Sequence, residues 1–151
     1  YVGSLTATQN SVAIRNAQGD IVANVFQGIA AEARYADLAE KYTTDQEHVA
    51  GTIMMVCEHP EHDLEPCHSN GFPVGVVSTA PAFVMNSACD GQAIALKGRV
   101  PVRVVGSVKK GDLIYAGNDG VGYLNGTYKV GVALESNSTE GEKLVECVLA
   151  L

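Results

Sequence analysis

Val100-Pro101-Val102-Arg103-Val104-Val105, then Lys109-Lys110-Gly111-Asp112, then Leu113-Ile114-Tyr115, is the stretch that decides the fold. Two β-branched runs flank a polar, glycine-bearing turn, and each is too short for a helix, so the pattern predicts paired strands. Pro101 has no N–H to give to a ladder, which places it on an edge or at a bulge. Residues 52–56, 74–78, 93–96, 129–134 and 144–149 repeat the theme, with Gly, Asn, Asp, Ser or Lys clusters between most of them. Asn118-Asp119-Gly120 and Asn125-Gly126 read as hairpin turns. Short strands at such spacing predict a mainly β fold, a small sandwich or barrel over residues 43–151, in preference to a parallel sheet with crossover helices. No internal repeat with a period of about 20–50 residues is present, so a solenoid is not expected.

Residues 1–42 are expected to form an extended arm with one short helix or turn segment. Ser11-Val12-Ala13-Ile14-Arg15 and Ile21-Val22-Ala23-Asn24-Val25-Phe26 flank the turn Asn16-Ala17-Gln18-Gly19-Asp20, a hairpin pattern. Residues 30–42 are the best helix candidate: they are rich in Ala and Glu, hold no Gly or Pro, and space Tyr35, Leu38 and Tyr42 by three and four. Alternation across 35–40 keeps an extended conformation open. The arm has little apolar bulk and is expected to pair with another chain, with Tyr35, Leu38 and Tyr42 as interface anchors.

The chain has 151 residues, enough for one domain with its own core. Its net charge of −7 argues against nucleic acid, which asks for a basic patch, and against an anionic membrane surface. No apolar run reaches the roughly 18 residues of a spanning helix. Gly contributes 16 residues, consistent with many turns. Tyr1 is not a translation start, so a longer parent chain is expected.

Several segments, in order, carry a resemblance. They are Ala33-Arg34-Tyr35-Ala36-Asp37-Leu38-Ala39-Glu40-Lys41-Tyr42, Gly51-Thr52-Ile53, Val74-Gly75-Val76-Val77-Ser78-Thr79-Ala80-Pro81-Ala82-Phe83-Val84-Met85-Asn86, Ala95-Leu96-Lys97-Gly98-Arg99-Val100-Pro101-Val102, Val105-Gly106-Ser107-Val108-Lys109-Lys110-Gly111-Asp112-Leu113 and Val130-Gly131-Val132-Ala133-Leu134-Glu135. Together they resemble C-terminal modules of tail-fibre and virion structural proteins of tailed phages, notably those of cyanobacteria. They are also similar to phage appendage domains that act as self-cleaving intramolecular chaperones. The resemblance implies a homotrimeric virion component in a tail or appendage, with other virion proteins as partners and a host cell-surface receptor as a further one. Its function would be subunit assembly and host attachment, without enzymatic turnover. An autoproteolytic chaperone aiding fibre trimerisation is the alternative, and a self-assembling extracellular filament subunit is a third.

The chemistry-bearing residues crowd into Cys57-Glu58-His59-Pro60-Glu61-His62-Asp63-Leu64-Glu65-Pro66-Cys67-His68. Thiolates and imidazoles are zinc ligands, which makes Cys57, His59, His62, Cys67 and His68 a candidate metal set. The spacing is not a familiar zinc pattern, so a solvated acidic loop or a Cys57–Cys67 disulfide are the alternatives, and otherwise no cofactor is expected. Ser78 lacks a Gly-x-Ser-x-Gly elbow and is better read as a turn residue than a nucleophile. Cys89 reads as a turn-flanking residue. Asp37 and Glu40 would share a helix face as paired carboxylates, or else form a polar pair with Arg34 and Lys41. No catalytic set is expected.

Overall fold

The structure is a computed structural model and describes residues 3–4, 12–13, 15–21, 32 and 36–151. The chain divides into two compact units, Tyr1–Glu32 and Ala33–Leu151. In the first, β1 (Gly3–Ser4) and β2 (Val12–Ala13) pair in parallel. Arg15 and Ile21 bridge in antiparallel sense across the expected turn. There the Asn16 Oδ1 accepts the Gln18 and Asp20 N–H groups at 3.0 and 2.8 Å, standing in for backbone partners as Asn does in turns.

The second unit holds β3 (Asp37–Tyr42), β4 (Ile53–Val56), β5 (Leu64–Pro66), β6 (Pro73–Val77) and β7 (Phe83–Met85). After them come β8 (Gln92–Val104), β9 (Leu113–Ala116), a 3-10 turn (Asn118–Gly120), β10 (Gly122–Tyr123), β11 (Lys129–Ala133) and β12 (Lys143–Leu149). The long β8 is the spine. Its second half starts the circuit β8-β12-β11-β9-β10, which returns to β8 through Gly122 opposite Val104. That closes a five-stranded barrel. Its first half lies inside an open sheet of order β7-β3-β8-β6-β4-β5. The fold is mainly β, as the strand pattern implied, and the two runs at 93–96 and 100–105 are one strand serving both structures.

A bulge makes this sharing possible. Leu38 faces Lys97 while the next residue, Ala39, faces Ala95, so Leu96 is the extra residue. One added residue exchanges the two faces of a strand. Ala95 points into the main core before the bulge, and Val100, Val102 and Val104 point into it afterwards. Gly98 follows the bulge at φ +103°, and a Cβ there would collide with the Ala36 carbonyl oxygen. Only glycine fits that backbone without strain.

Residues 37–42 do not form a helix. They are strand β3, antiparallel to β8 and parallel to β7, so they belong to the compact β unit and not to an arm ending at residue 42. Helix propensity is a weak prior, and pairing with two strands outweighs it. Pro101 sits within the β8–β12 ladder opposite Glu146. Its neighbours Arg99 and Arg103 send their N–H groups the other way, to the carbonyls of Ala36 and Gly51 at 3.1 and 2.9 Å. By strand alternation the Pro101 nitrogen faces that side too, where no strand among the described residues pairs with it, so no ladder bond is lost.

The barrel interior is filled by Val100, Val102, Val104, Ile114, Ala116, Val130, Ala133, Val145, Cys147 and Leu149, and this core continues to Ile53, Cys67, Val76 and Ala95 of the open sheet. Each fully buried Val, Leu or Ile contributes about 1.5–3 kcal/mol. On the opposite face of the open sheet, Met54, Leu64, Val77 and Ile94 form a smaller cluster, flanked by half-buried Tyr42, Val74 and Leu96.

Candidate functional site

Three regions of the second unit hold the chemistry. The first is the outer face of the open sheet, at its β7 edge. Leu38 and Phe83 are register partners there, and they are 37% and 63% exposed. Of the three expected anchors, Leu38 is thus presented to solvent. Tyr42 is instead half-buried against the smaller cluster. Its hydroxyl donates to Glu40 Oε2 at 2.8 Å, and burial together with that carboxylate pushes its pKa up to about 12. Tyr35 lies outside the described residues. Phe83 went unread in the sequence, although the alternation of Phe83 and Met85 after a proline turn is an edge-strand signal.

The second region is a groove of about 340 Å³ beside Pro101, on the side of β8 away from β12, where no strand among the described residues pairs with it. Asp37, Ser78, Thr79, Arg99 and Glu146 are among its lining residues. Asp37 is 5% exposed, and its Oδ2 has no hydrogen-bond partner among the described residues. A buried oxygen left unpaired is costly, so Asp37 stands out among the residues of this groove. The expected Asp37–Glu40 pair does not exist. On a strand, positions three apart point to opposite faces, so Asp37 lies on the core side while Glu40 meets Tyr42. The Ser78 N–H donates to the Ala93 carbonyl at 2.9 Å. Cys89 is half-buried and flanks a turn: its N–H donates to Asn86, and its carbonyl accepts Lys41 Nζ at 3.1 Å.

The third region is the β4–β5 hairpin, whose tip is residues 57–63. The Cys57 N–H donates to the Asp63 carbonyl at 2.9 Å and closes its base. Asp63 Oδ2 accepts the Thr43 N–H and hydroxyl at 2.9 and 2.7 Å, and these bonds hold its carboxyl below the usual range. At the tip, donor atoms of His59, Glu61 and His62 lie within 4.8 Å of one another. The two imidazoles stack with centroids 5.2 Å apart.

This differs from the expected five-residue set. Cys67 is fully buried in the main core, where its thiol donates to the Gly71 carbonyl at 3.2 Å and burial raises its pKa to about 11. A thiol held protonated and walled in by apolar neighbours is a poor ligand. Cys57 and His68 also fall outside the convergent group, and Cys57 and Cys67 are both free thiols, not a disulfide. Glu61 enters in their place. The sequence signal for it was the compact His-Pro-Glu-His order, overlooked because carboxylates are so common in that loop.

No protein-family model and no curated protein matches the chain. Solved structures do. The crystal structure of pre-mature bacteriophage phi29 gene product 12 superposes with a TM-score of 0.65 at 14% identity, over 87% of this chain and 23% of that one. This chain has the fold of a phage protein's C-terminal part. The decisive comparison is the C-terminal fragment of the same gene product, matched over 100% of its length and 76% of this chain, at a TM-score of 0.60 and 16% identity. At these identities the likeness is one of fold.

Proposed function

We propose that this chain is a structural module of a phage tail fibre or virion appendage that acts by assembling with copies of itself, as a homotrimer, and not by turnover. The observation that carries this reading is the outer face of the open sheet, which apart from Glu40 runs in apolar side chains from the Met54–Ile94 cluster to exposed Leu38 and Phe83, beside an edge of β7 that no strand among the described residues covers. An exposed strand edge next to apolar side chains invites another chain. The barrel also has an outward apolar row, Leu113, Val132 and Val148, but it ends at Arg99 and offers no free edge. Phage origin is supported by the fold shared with the phi29 protein. Other virion proteins and a host receptor are the further partners of such a module, with the 57–72 loops as the presented surface.

Sedimentation analysis tests this. The chain is expected to run as a trimer, and Leu38→Asp/Phe83→Asp as a folded monomer, because a charge in an apolar interface is strongly disfavoured. A monomeric parent chain, or a double variant that stays trimeric, would defeat the proposal.

A second reading, an autoproteolytic chaperone domain, is favoured by Asp37, whose buried Oδ2 has no partner among the described residues and which lines a groove together with Ser78 and Thr79. The phi29 protein has been solved both in pre-mature form and as a C-terminal fragment, which fits a maturation step. Intact mass of a longer precursor decides: cleavage that Asp37→Asn abolishes supports this reading, and a single full-length species removes it.

A further inference from the structure

We propose that the tip of the β4–β5 hairpin is a transition-metal site, with Zn²⁺ the best fit, held by His59, Glu61 and His62. Two imidazoles and one carboxylate form a recognised zinc ligand set that leaves a fourth position for water. The three donor atoms lie within 4.8 Å of one another in the metal-free chain. Around a tetrahedral ion with bonds of ~2.0–2.2 Å they would stand roughly 3.4 Å apart. The gap is a matter of side-chain rotation, since His59 and Glu61 are exposed and His62 is half-exposed.

The backbone beneath them is already set. The His62 N–H donates to the His59 carbonyl at 3.3 Å, Pro60 fixes one φ of the turn, and Asp63 is tied to Thr43. Those bonds also occupy Asp63, which explains why it is not a ligand. The Glu61 N–H points at His59 Nδ1 from 3.3 Å. Coordination through His59 Nε2 therefore moves the ring proton to Nδ1 and gives up this weak contact, whereas coordination through Nδ1 replaces it.

Charge supplies an independent argument. Glu58, Glu61, Asp63 and Glu65 lie within residues 57–65, and no Lys or Arg does. Among the described residues none of these carboxylates forms an ion pair with Lys or Arg. A dication is the counter-charge this hairpin lacks. Bound there, it would lock the tip of a two-stranded hairpin at the edge of the open sheet.

The site is tested on the full chain, free of any histidine tag, by calorimetric titration with Zn²⁺ and by absorption spectra with Co²⁺. One equivalent of Zn²⁺ is expected to bind with micromolar affinity. His59→Ala/His62→Ala should abolish saturable binding, and Glu61→Gln should weaken it roughly tenfold. These side chains lie at a solvent-facing tip, so the variants are expected to keep the parent circular dichroism. Absence of stoichiometric binding, or binding indifferent to the double substitution, overturns the site. A thiolate-to-cobalt charge-transfer band also overturns it, because it would mean a cysteine-based ligand set.

Discussion

In the barrel, each of β8, β9, β10, β11 and β12 has a neighbour on both sides, and the circuit closes on itself. In the open sheet, β5 and β7 each have one strand neighbour among the described residues and are only three residues long. The same spine, β8, feeds both. Closure removes strand edges and commits the inward side chains to a shared core; openness leaves edges, loops and half-covered apolar groups available for partners. All three candidate regions touch open-sheet strands or their loops, whereas the barrel supplies chiefly core. Beside the apolar core they share, polar contacts also join the two along their seam. Arg103 of β8 donates to Thr52 Oγ1 at 3.1 Å, to the Asp119 carbonyl at 3.3 Å and to Glu142 Oε1 at 2.7 Å. The Gly120 N–H donates to the Cys67 carbonyl at 2.8 Å, docking the 3-10 turn on the open sheet.

This division of labour can be broken most severely at Gly98. Gly98→Ala places a side chain at φ +103° against the Ala36 carbonyl, where the strand changes from one structure to the other. A loss of about 3 kcal/mol or more is expected by urea unfolding, from strain and collision together. A variant as stable as the parent would mean that the bulge is not what couples the two halves. The next largest effect separates the halves. Ile114→Ala, at a fully buried barrel position, should cost about 2–5 kcal/mol. Phe83→Ser, at the open edge, should cost the isolated monomer within about 0.5 kcal/mol, because an exposed side chain has little burial to lose. Equal losses at the two sites would erase the contrast.

The smallest effect concerns the seam. Arg103 donates to Glu142 and holds its carboxyl below the ordinary value of 4.5. A depressed carboxylate stabilises the fold above its unfolded pKa, and that contribution fades as pH falls through the folded value. The pair is exposed, so the effect is modest. Glu142→Gln should slightly lower stability at neutral pH and leave it unchanged relative to the parent well below pH 4.5. An identical thermal-denaturation profile across that range would show that the pair adds nothing to the seam.

Much of the barrel was legible beforehand. The runs at 113–115, 129–134 and 144–149 became β9, β11 and β12 almost residue for residue, because one-sided burial imposes a period-two pattern that side-chain types record. The Lys109–Asp112 turn was legible for a similar reason: Gly111 takes φ +95°, and Asp112 Oδ2 caps the Lys109 N–H at 2.7 Å. The open sheet was read less well. Residues 37–42 looked helical, and β5 and β7 are too short to leave a periodic signal. Of the metal set, His59 and His62 converge while Cys67 turns inward. Spacing along the chain does not say which way a residue at a strand's end will point.

The sequence by itself determined that this is a β protein built on short strands, acidic, with its chemistry-bearing side chains crowded around residues 57–68. Composition, alternation and turn residues are local properties, and local physics suffices to read them. Only the tertiary structure decided that β8 serves two sheets, that five strands close while others stay open, and that Glu61 stands where Cys67 might have. Those outcomes depend on which strands become neighbours and on the parity change at Leu96. Both arise from contacts between residues far apart in the chain, and no short window of sequence contains them.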